Sequence, residues 1–263
     1  MARLPFSIPP SMGGERVQGM ARSLEAALRA SHLEAEVTVA LDYQGMIQSL
    51  ERGEALAAWG PPLVCAWAEA FGGRGLVRSV RQGFGTYRAA VVARRGEGVD
   101  LTSPGLRAAW VDRDSMAGYV LPQAMLRERG LRPSRHFAEA KFLESYEATL
   151  QAVLDRKADL TSVWASPAHA SPPRDGVQQL AGPRASELEI IAYSRECPND
   201  GVVAGPGLAS EQQVALQCAL LALERTVPGQ QLIQEVFGAE RLEESPPGSY
   251  RQLHETVFKA LTG

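Results

Sequence analysis

The chain is short of the residues that build the more obvious kinds of site. Its three cysteines, Cys65, Cys197 and Cys218, are odd in number and have no metal-ligand spacing. That argues against a full disulfide framework, and buried thiols acting as small hydrophobes are expected instead. The four histidines, His32, His136, His169 and His254, are scattered, with no H-x-x-x-H pair, so no metal site is expected. There is no phosphate-binding P-loop, no dinucleotide glycine fingerprint and no G-x-S-x-G elbow, and no cofactor is expected. No apolar run approaches the roughly 20 residues that a membrane helix needs, so no membrane insertion is expected. Charge is nearly balanced, Lys+Arg 27 against Asp+Glu 30, which gives no electrostatic case for nucleic acid. The opening stretch from Met1 to Pro10 has one basic residue and no apolar h-region, so it does not read as a secretory signal. The chain is expected either to stay in the cytoplasm or to have had a leader removed.

What is present is an alternation. Leu4–Ile8 reads as a strand that stops at Pro9-Pro10-Ser11. Glu15–Ala30 repeats apolar residues at helical spacing (Val17, Met20, Ala21, Leu24, Ala27, Leu28). Glu36–Leu41 reads as a strand, Tyr43–Arg52 as a helix stopped by Gly53, Ala55–Trp59 as a buried strand and Val64–Phe71 as a helix. Strand–helix alternation of this kind predicts a mostly parallel sheet covered by helices, with ligands beyond the carboxyl ends of its strands. The loops to watch are therefore Pro9–Ser11, Asp42-Tyr43 and Gly60–Leu63.

The middle of the chain repeats the pattern. Strands are predicted at Tyr87–Arg94, Ala108–Val111, His136–Phe142 and Asp159–Trp164. A helix should open at Ser115 and run to about Arg129, and another should span Tyr146–Arg156. Ser166–Pro183 reads as surface loop. Glu187–Tyr193 and Gly201–Ala204 read as strands. Helices are predicted at Leu208–Arg225, with Ser210 as its N-cap, and at Gln230–Phe237 and Ser249–Leu261.

Three constellations stand out. Asp112-Arg113-Asp114-Ser115-Met116-Ala117-Gly118-Tyr119 lies between a buried strand and a helix. A first helical turn leaves N–H groups without intrahelical partners, and beside the Ser115 hydroxyl they can cradle an anion. The plainer alternative is that Ser115 or Asp114 only caps the helix. The aromatic residues Tyr43, Trp59, Tyr87, Tyr146 and Trp164 all fall at strand ends or helix starts, where rings with hydrogen-bonding tips suit the wall of a ligand cleft. Asn199-Asp200 follows a proline and precedes a strand, so Asp200 can fix a polar ligand group or simply make the turn. Glu147 and Asp159 form no spacing that places two carboxylates together, and Asp159 is expected to close a helix-to-strand turn.

In their order along the chain, these pieces resemble the phosphate/phosphonate substrate-binding proteins of ABC importers, within the type 2 periplasmic binding protein superfamily. The pieces are Asp42-Tyr43, Trp59-Gly60-Pro61, Tyr87-Arg88, Asp112-x-x-Ser115-x-x-Gly118-Tyr119, Ala158-Asp159 and Pro198-Asn199-Asp200. The resemblance covers Leu4 to about Phe237. It implies a two-lobed α/β fold, each lobe a mostly parallel sheet flanked by helices, with a ligand cleft between the lobes and hinge closure over it. The lobes would be 1–87 with 200–263, and 88–199, crossing near Gly85–Arg88 and Pro198–Gly201. It further implies that the Ser115 helix start grips the oxyanion, that Trp59 and Tyr87 line the cleft, and that Asp200 helps hold the ligand.

The departures narrow the ligand. The family's cradle usually reads Ser-Thr-Ser, where this chain has Ser115-Met116-Ala117, two hydroxyl donors fewer. A hydrogen bond to a charged oxygen contributes about 1.5–3 kcal/mol, so losing two weakens phosphonate binding by roughly two to four orders of magnitude. Tyr146 stands where the family often has a histidine, and Ser166 stands near the place of an acid. A ligand that is less charged, or that bears a carboxylate, fits better. The expected partners are that small molecule and, by resemblance, an ABC permease, with the protein acting as a monomer in the periplasm. Two other readings stay open: a cytoplasmic enzyme of menaquinone or thiamine-precursor type on the same scaffold, and a non-binding homologue that contacts a partner protein.

Overall fold

The computed structural model describes residues 3–10 and 14–262, so Ser11 of the first expected loop lies outside the described residues. The chain divides into two compact units, residues 1–85 with 198–254 and residues 86–197 with 255–263. Unit 1 opens with β1 (Leu4–Ile8), α1 (Gly14–Ala30), β2 (Ala35–Val39), α2 (Tyr43–Arg52), β3 (Ala57–Gly60), α3 (Pro62–Ala70) and β4 (Arg74–Val80). Unit 2 holds β5 (Thr86–Arg94), β6 (Leu106–Trp110), α4 (Leu121–Glu128), α5 (Pro133–His136), β7 (Phe137–Phe142), α6 (Tyr146–Leu154), β8 (Leu160–Ala165), α7 (Gly176–Leu180) and β9 (Leu188–Tyr193). The two-residue β10 (Cys197–Pro198) stands where the chain leaves unit 2. The return to unit 1 supplies β11 (Gly201–Ala204), α8 (Ser210–Ala222), α9 (Val227–Phe237), β12 (Arg241–Glu244) and the start of α10 (Ser249–Thr262).

The sheet of unit 1 runs β12-β4-β11-β3-β1-β2. β1 pairs parallel with β2 and β3, while β11 pairs antiparallel with both β3 and β4. The sheet is therefore mixed, and connectivity gives the reason. The first four strands all end at one edge. The chain re-enters the unit at that same edge, so β11 must run inward from it, with Gly201 opposite Gly60 and Arg78. Unit 2 shows the same logic from the other side. β6 is parallel to β7 and β8, and the entering strand β5 is antiparallel to β8 and β9, with Arg88 opposite Ala165.

Each sheet buries its apolar residues against its own helices. In unit 1, Phe6, Ile8, Leu24 and Phe237 are fully covered. In unit 2, Trp110 is covered by α4, with Tyr119 and Phe137 meeting it edge-on at 5.9 and 5.6 Å. Side chains of this size stabilise by about 1.5–3 kcal/mol each when removed from water. Gly53 ends α2 with φ 72°, the left-handed stop its position suggested.

Several details differ from the sequence reading. The Ser166–Pro183 stretch contains α7, capped by Asp175 accepting from the Gln178 N–H. Ser210 is the first residue of α8, not its cap; that place belongs to Ala209, which has no side-chain bond to offer. Cys65 and Cys197 are buried as expected, whereas Cys218 is exposed on α8. β4 and β12 went unread. Asp159 does close a helix-to-strand turn, but it does more: it receives the Arg107 N–H at 2.7 Å and the Arg107 guanidinium at 2.6 Å, joining β8 to β6. The Arg107 hydrogen bond holds the Asp159 carboxyl below the usual carboxylate range. The stability it contributes is present above the ordinary aspartate value near 4 and is lost as pH falls through the lowered folded value. Acid titration of unfolding should therefore show a shallower acid limb for Asp159→Asn than for wild type. Identical limbs would remove Asp159 from the account.

Candidate functional site

The Ser115 region is where the structure concentrates hydrogen-bond donors. After β6 the chain turns at Asp112, whose carboxylate accepts the Asp114 N–H at 2.8 Å. Ser115 then caps a π-turn, Met116–Val120, that runs on into α4. An α-helix was expected from Ser115. Instead its carbonyl accepts from both Tyr119 and Val120 at 2.9 Å, which widens the first turn by a residue. The Ser115 Oγ accepts the Gly118 N–H at 3.2 Å and lies 3.3 Å from the Tyr146 hydroxyl. Tyr146 opens α6, a helix capped by Ser145 accepting from Ala148. Two helix starts thus meet through one Ser–Tyr contact. Each carries partial positive charge, and the Met116 and Ala117 N–H groups sit in a first turn that offers them no intrahelical acceptor. Met116 and Ala117 themselves are buried, so they hold the turn in place rather than present their side chains.

Strand registers show which other expected residues share this edge. The carboxyl ends of β6, β7 and β8 and the start of β5 lie together in unit 2. Tyr87, Ser115, Met116, Ala117, Tyr146 and Trp164 therefore belong to one edge of one sheet. Tyr87 and Trp164 are half-buried. Sequence reasoning quoted Arg88 in a motif yet passed it over as a site residue. Its Nε donates to the Ser166 carbonyl at 3.0 Å, and its guanidinium stands 4.1 Å from the centre of the Tyr193 ring. Its place next to Tyr87 at a strand start was the available signal. Ser166 is buried, and its hydroxyl accepts the Arg174 N–H.

In unit 1, Tyr43, Trp59 and Asp200 likewise reach one sheet edge. Tyr43 is the first residue of α2, beside an Asp42 cap that accepts the Gly45 N–H at 2.6 Å, and is half-buried. Trp59 is only 7 % exposed. Its ring belongs to the core, edge-on to Phe237 at 5.4 Å, because residue 59 of β3 faces α9. Its indole N–H is buried and has no acceptor among the described residues. Asp200 does not stand alone. Its carboxylate meets Arg81 at 2.6 Å, and Arg81 also donates to the carbonyls that end α9, Phe237 and Gly238. No group of metal-ligating side chains occurs among the described residues, and no described helix is long and apolar enough to cross a membrane.

Comparison with known proteins bears on this arrangement. Residues 7–250 match the family described as ABC transporter, phosphonate, periplasmic substrate-binding protein. No curated protein is similar enough in sequence to count as a relative. Among solved structures, XAC2383 from Xanthomonas citri bound to ATP superposes with a TM-score of 0.76 at 16% identity, covering 99% of this chain and 98% of that one. PhnD1 from Prochlorococcus marinus in complex with methylphosphonate gives 0.68 at 16%, covering 99% and 98%. A binding-protein component of an ABC phosphonate transporter from Pseudomonas aeruginosa gives 0.65 at 16%, covering 98% and 86%. At such identity these structures speak for the fold alone. The family match supports the solute-binding reading and lends nothing to the enzyme alternative. The chain belongs to the phosphonate-binding family of periplasmic substrate-binding proteins of ABC transporters.

Proposed function

We propose that this protein binds a small anionic solute through the Ser115 helix start and delivers it to an ABC permease from the periplasmic side of the membrane. The observation that carries the reading is the 3.3 Å contact between the Ser115 and Tyr146 hydroxyls where two helix starts meet. With the Tyr146 hydroxyl donating to it, Ser115 Oγ keeps its own proton for a ligand, and the Met116 and Ala117 N–H groups add two further donors. Such a set suits a carboxylate, or one face of a phosphonate, and has no base or nucleophile placed to act on either. Tyr87 and Trp164, at the same sheet edge of unit 2, enter the proposal as apolar walls with polar tips, and Tyr43 enters separately as a ligand-facing ring at the sheet edge of unit 1. Trp59 enters with an indole edge only. Asp200 acts through Arg81, as its counter-ion, rather than as a free acid for a cationic ligand. The relative solved with methylphosphonate and the one solved with ATP supply the first compounds to try. The protein is expected to act as a monomer.

Calorimetric titration with methylphosphonate, ATP and short carboxylates tests this. Ser115→Ala and Tyr146→Phe should each weaken the best ligand about 10–100-fold, since the first removes a charge-assisted hydrogen bond and the second the donor that aims it. Both variants should melt within a few degrees of wild type. Full affinity in both would place the site elsewhere.

A further inference from the structure

α8 has two apolar faces where a surface helix normally has one. Leu216, Ala219 and Leu220 are buried in the core of unit 1. The opposite side carries Val214, 53% exposed, with Ala215 and Cys218 exposed beside it and Leu221 and Ala222 half-buried. Other helices of the same unit put polar groups there. α1 turns Arg16, Gln18, Arg22 and Arg29 to solvent, and α9 turns Gln230, Gln231, Gln234 and Glu235. An apolar side left in water on one helix of an otherwise ordinary surface is where a protein partner is expected.

The pattern on that side names the partner, because it is symmetric about Cys218. Ala215 and Leu221 lie three positions to either side, Val214 and Ala222 four, and Glu211 and Arg225 seven. Offsets of three, four and seven keep to one helix face, and Arg225 stays on it because a 3-10 turn, Leu223–Arg225, continues α8. Two such faces laid antiparallel about a twofold axis through Cys218 set Val214 against Ala222, Ala215 against Leu221 and Glu211 against Arg225 of the second copy, each contact made twice. Glu211 and Arg225 are both exposed and form no ion pair among the described residues. A parallel arrangement would set Glu211 on Glu211 and Arg225 on Arg225, and would oppose the helix dipoles. The charges therefore choose the antiparallel one.

We infer that the outer face of α8 is a self-association surface, on which a second copy of this chain docks antiparallel with Cys218 on the twofold axis. Val214, Leu221 and the two alanines supply the buried apolar area, and the Glu211–Arg225 pairs fix direction and register. Four turns of one helix cover less than the roughly 1,200 Å² of total area that marks stable complexes, so the pairing is transient, with a Kd on the order of 100 μM. Below that concentration the single chain is the solute-binding unit. None of these residues belongs to the candidate site, so each copy keeps its own.

Sedimentation velocity on the full chain, from about 5 to about 500 μM, tests this. The average mass should rise from that of one chain towards that of two. Val214→Glu should hold it near one chain throughout, weakening the pairing at least about tenfold. Glu211→Arg sets like charges at positions 211 and 225 and should weaken it about 3–10-fold, and the swap Glu211→Arg/Arg225→Glu should restore it. These positions are exposed, so the variants should fold as wild type does. Facing positions on helices packed about 10 Å apart bring two thiols together, so a short bis-maleimide should link Cys218 of one copy to Cys218 of the other. Cys65 and Cys197 are buried, and Cys218→Ser should give no linked product. A single chain at every concentration overturns the inference. So does a dimer that Val214→Glu leaves intact or that the bis-maleimide does not link.

Discussion

Asn199→Ala should lower the stability of unit 1 by about 2–5 kcal/mol, read as a shift of the urea midpoint. Asn199 is buried at 3 % exposure, and its side-chain amide donates to the Ser79 carbonyl at 2.9 Å and the Phe84 carbonyl at 2.8 Å. Alanine orphans both acceptors in a place water cannot easily reach, and each costs about 1–3 kcal/mol. The residue is tied in by its backbone too, through Asn199 N–H to Gly85 and the Tyr250 hydroxyl to the Asn199 carbonyl. These bonds join the segment ending at Gly85 to the one beginning at Pro198, where the chain leaves and re-enters unit 1. Asn199→Asp keeps the size and loses the donors, so it should not rescue. A wild-type midpoint in the alanine variant would show that the amide is dispensable.

That prediction also measures how far the sequence could be read. Pro198-Asn199-Asp200 was visible as a turn before a strand, and turn-making explained it at that level. Its real partners, Ser79, Phe84 and Arg81, lie over a hundred residues away, and no local pattern announces them. β4 went unread for a related reason. Arg74 and Arg78 interrupt its apolar alternation, and Arg78 is tolerated in the strand because Glu243 meets it at 2.7 Å from 165 positions further on. β12, four residues of which one is apolar and buried, has a charged composition that only an edge strand allows. By contrast β1 to β3, α1 and α2 carry periodic apolar faces, and their outlines were legible. Ser115 and Tyr146 were read separately, one from a helix start and one from an aromatic at a helix start. Their meeting depends on β6 and β7 being parallel neighbours, which is a property of the sheet.

The largest effect on binding should come from Gly118→Ala, a residue that touches no ligand in the proposal. A methyl group there would sit 2.6 Å from Val111 Cγ2 and 2.7 Å from Ser115 Oγ, closer than real contacts allow. Val111 is buried and so has little room to yield. Relieving the clash must move either Val111 or the Ser115 hydroxyl, at a cost of about 1–3 kcal/mol in stability. Displacing the hydroxyl also breaks its bond from the Gly118 N–H and its approach to Tyr146, and tilts the turn that carries the Met116 and Ala117 N–H groups. Several donors then lose aim together, and affinity for the best anion should fall about 100-fold or more, beyond either single hydroxyl deletion. Trimming the neighbour in Val111→Ala/Gly118→Ala should return part of the melting temperature, because the 2.6 Å contact with Cγ2 is gone while the 2.9 Å contact with the residue 111 Cβ stays, yet little of the affinity, because the contact with Ser115 remains. A Gly118→Ala protein that binds as wild type does would mean that the π-turn is packing alone and that the anion is held by other groups.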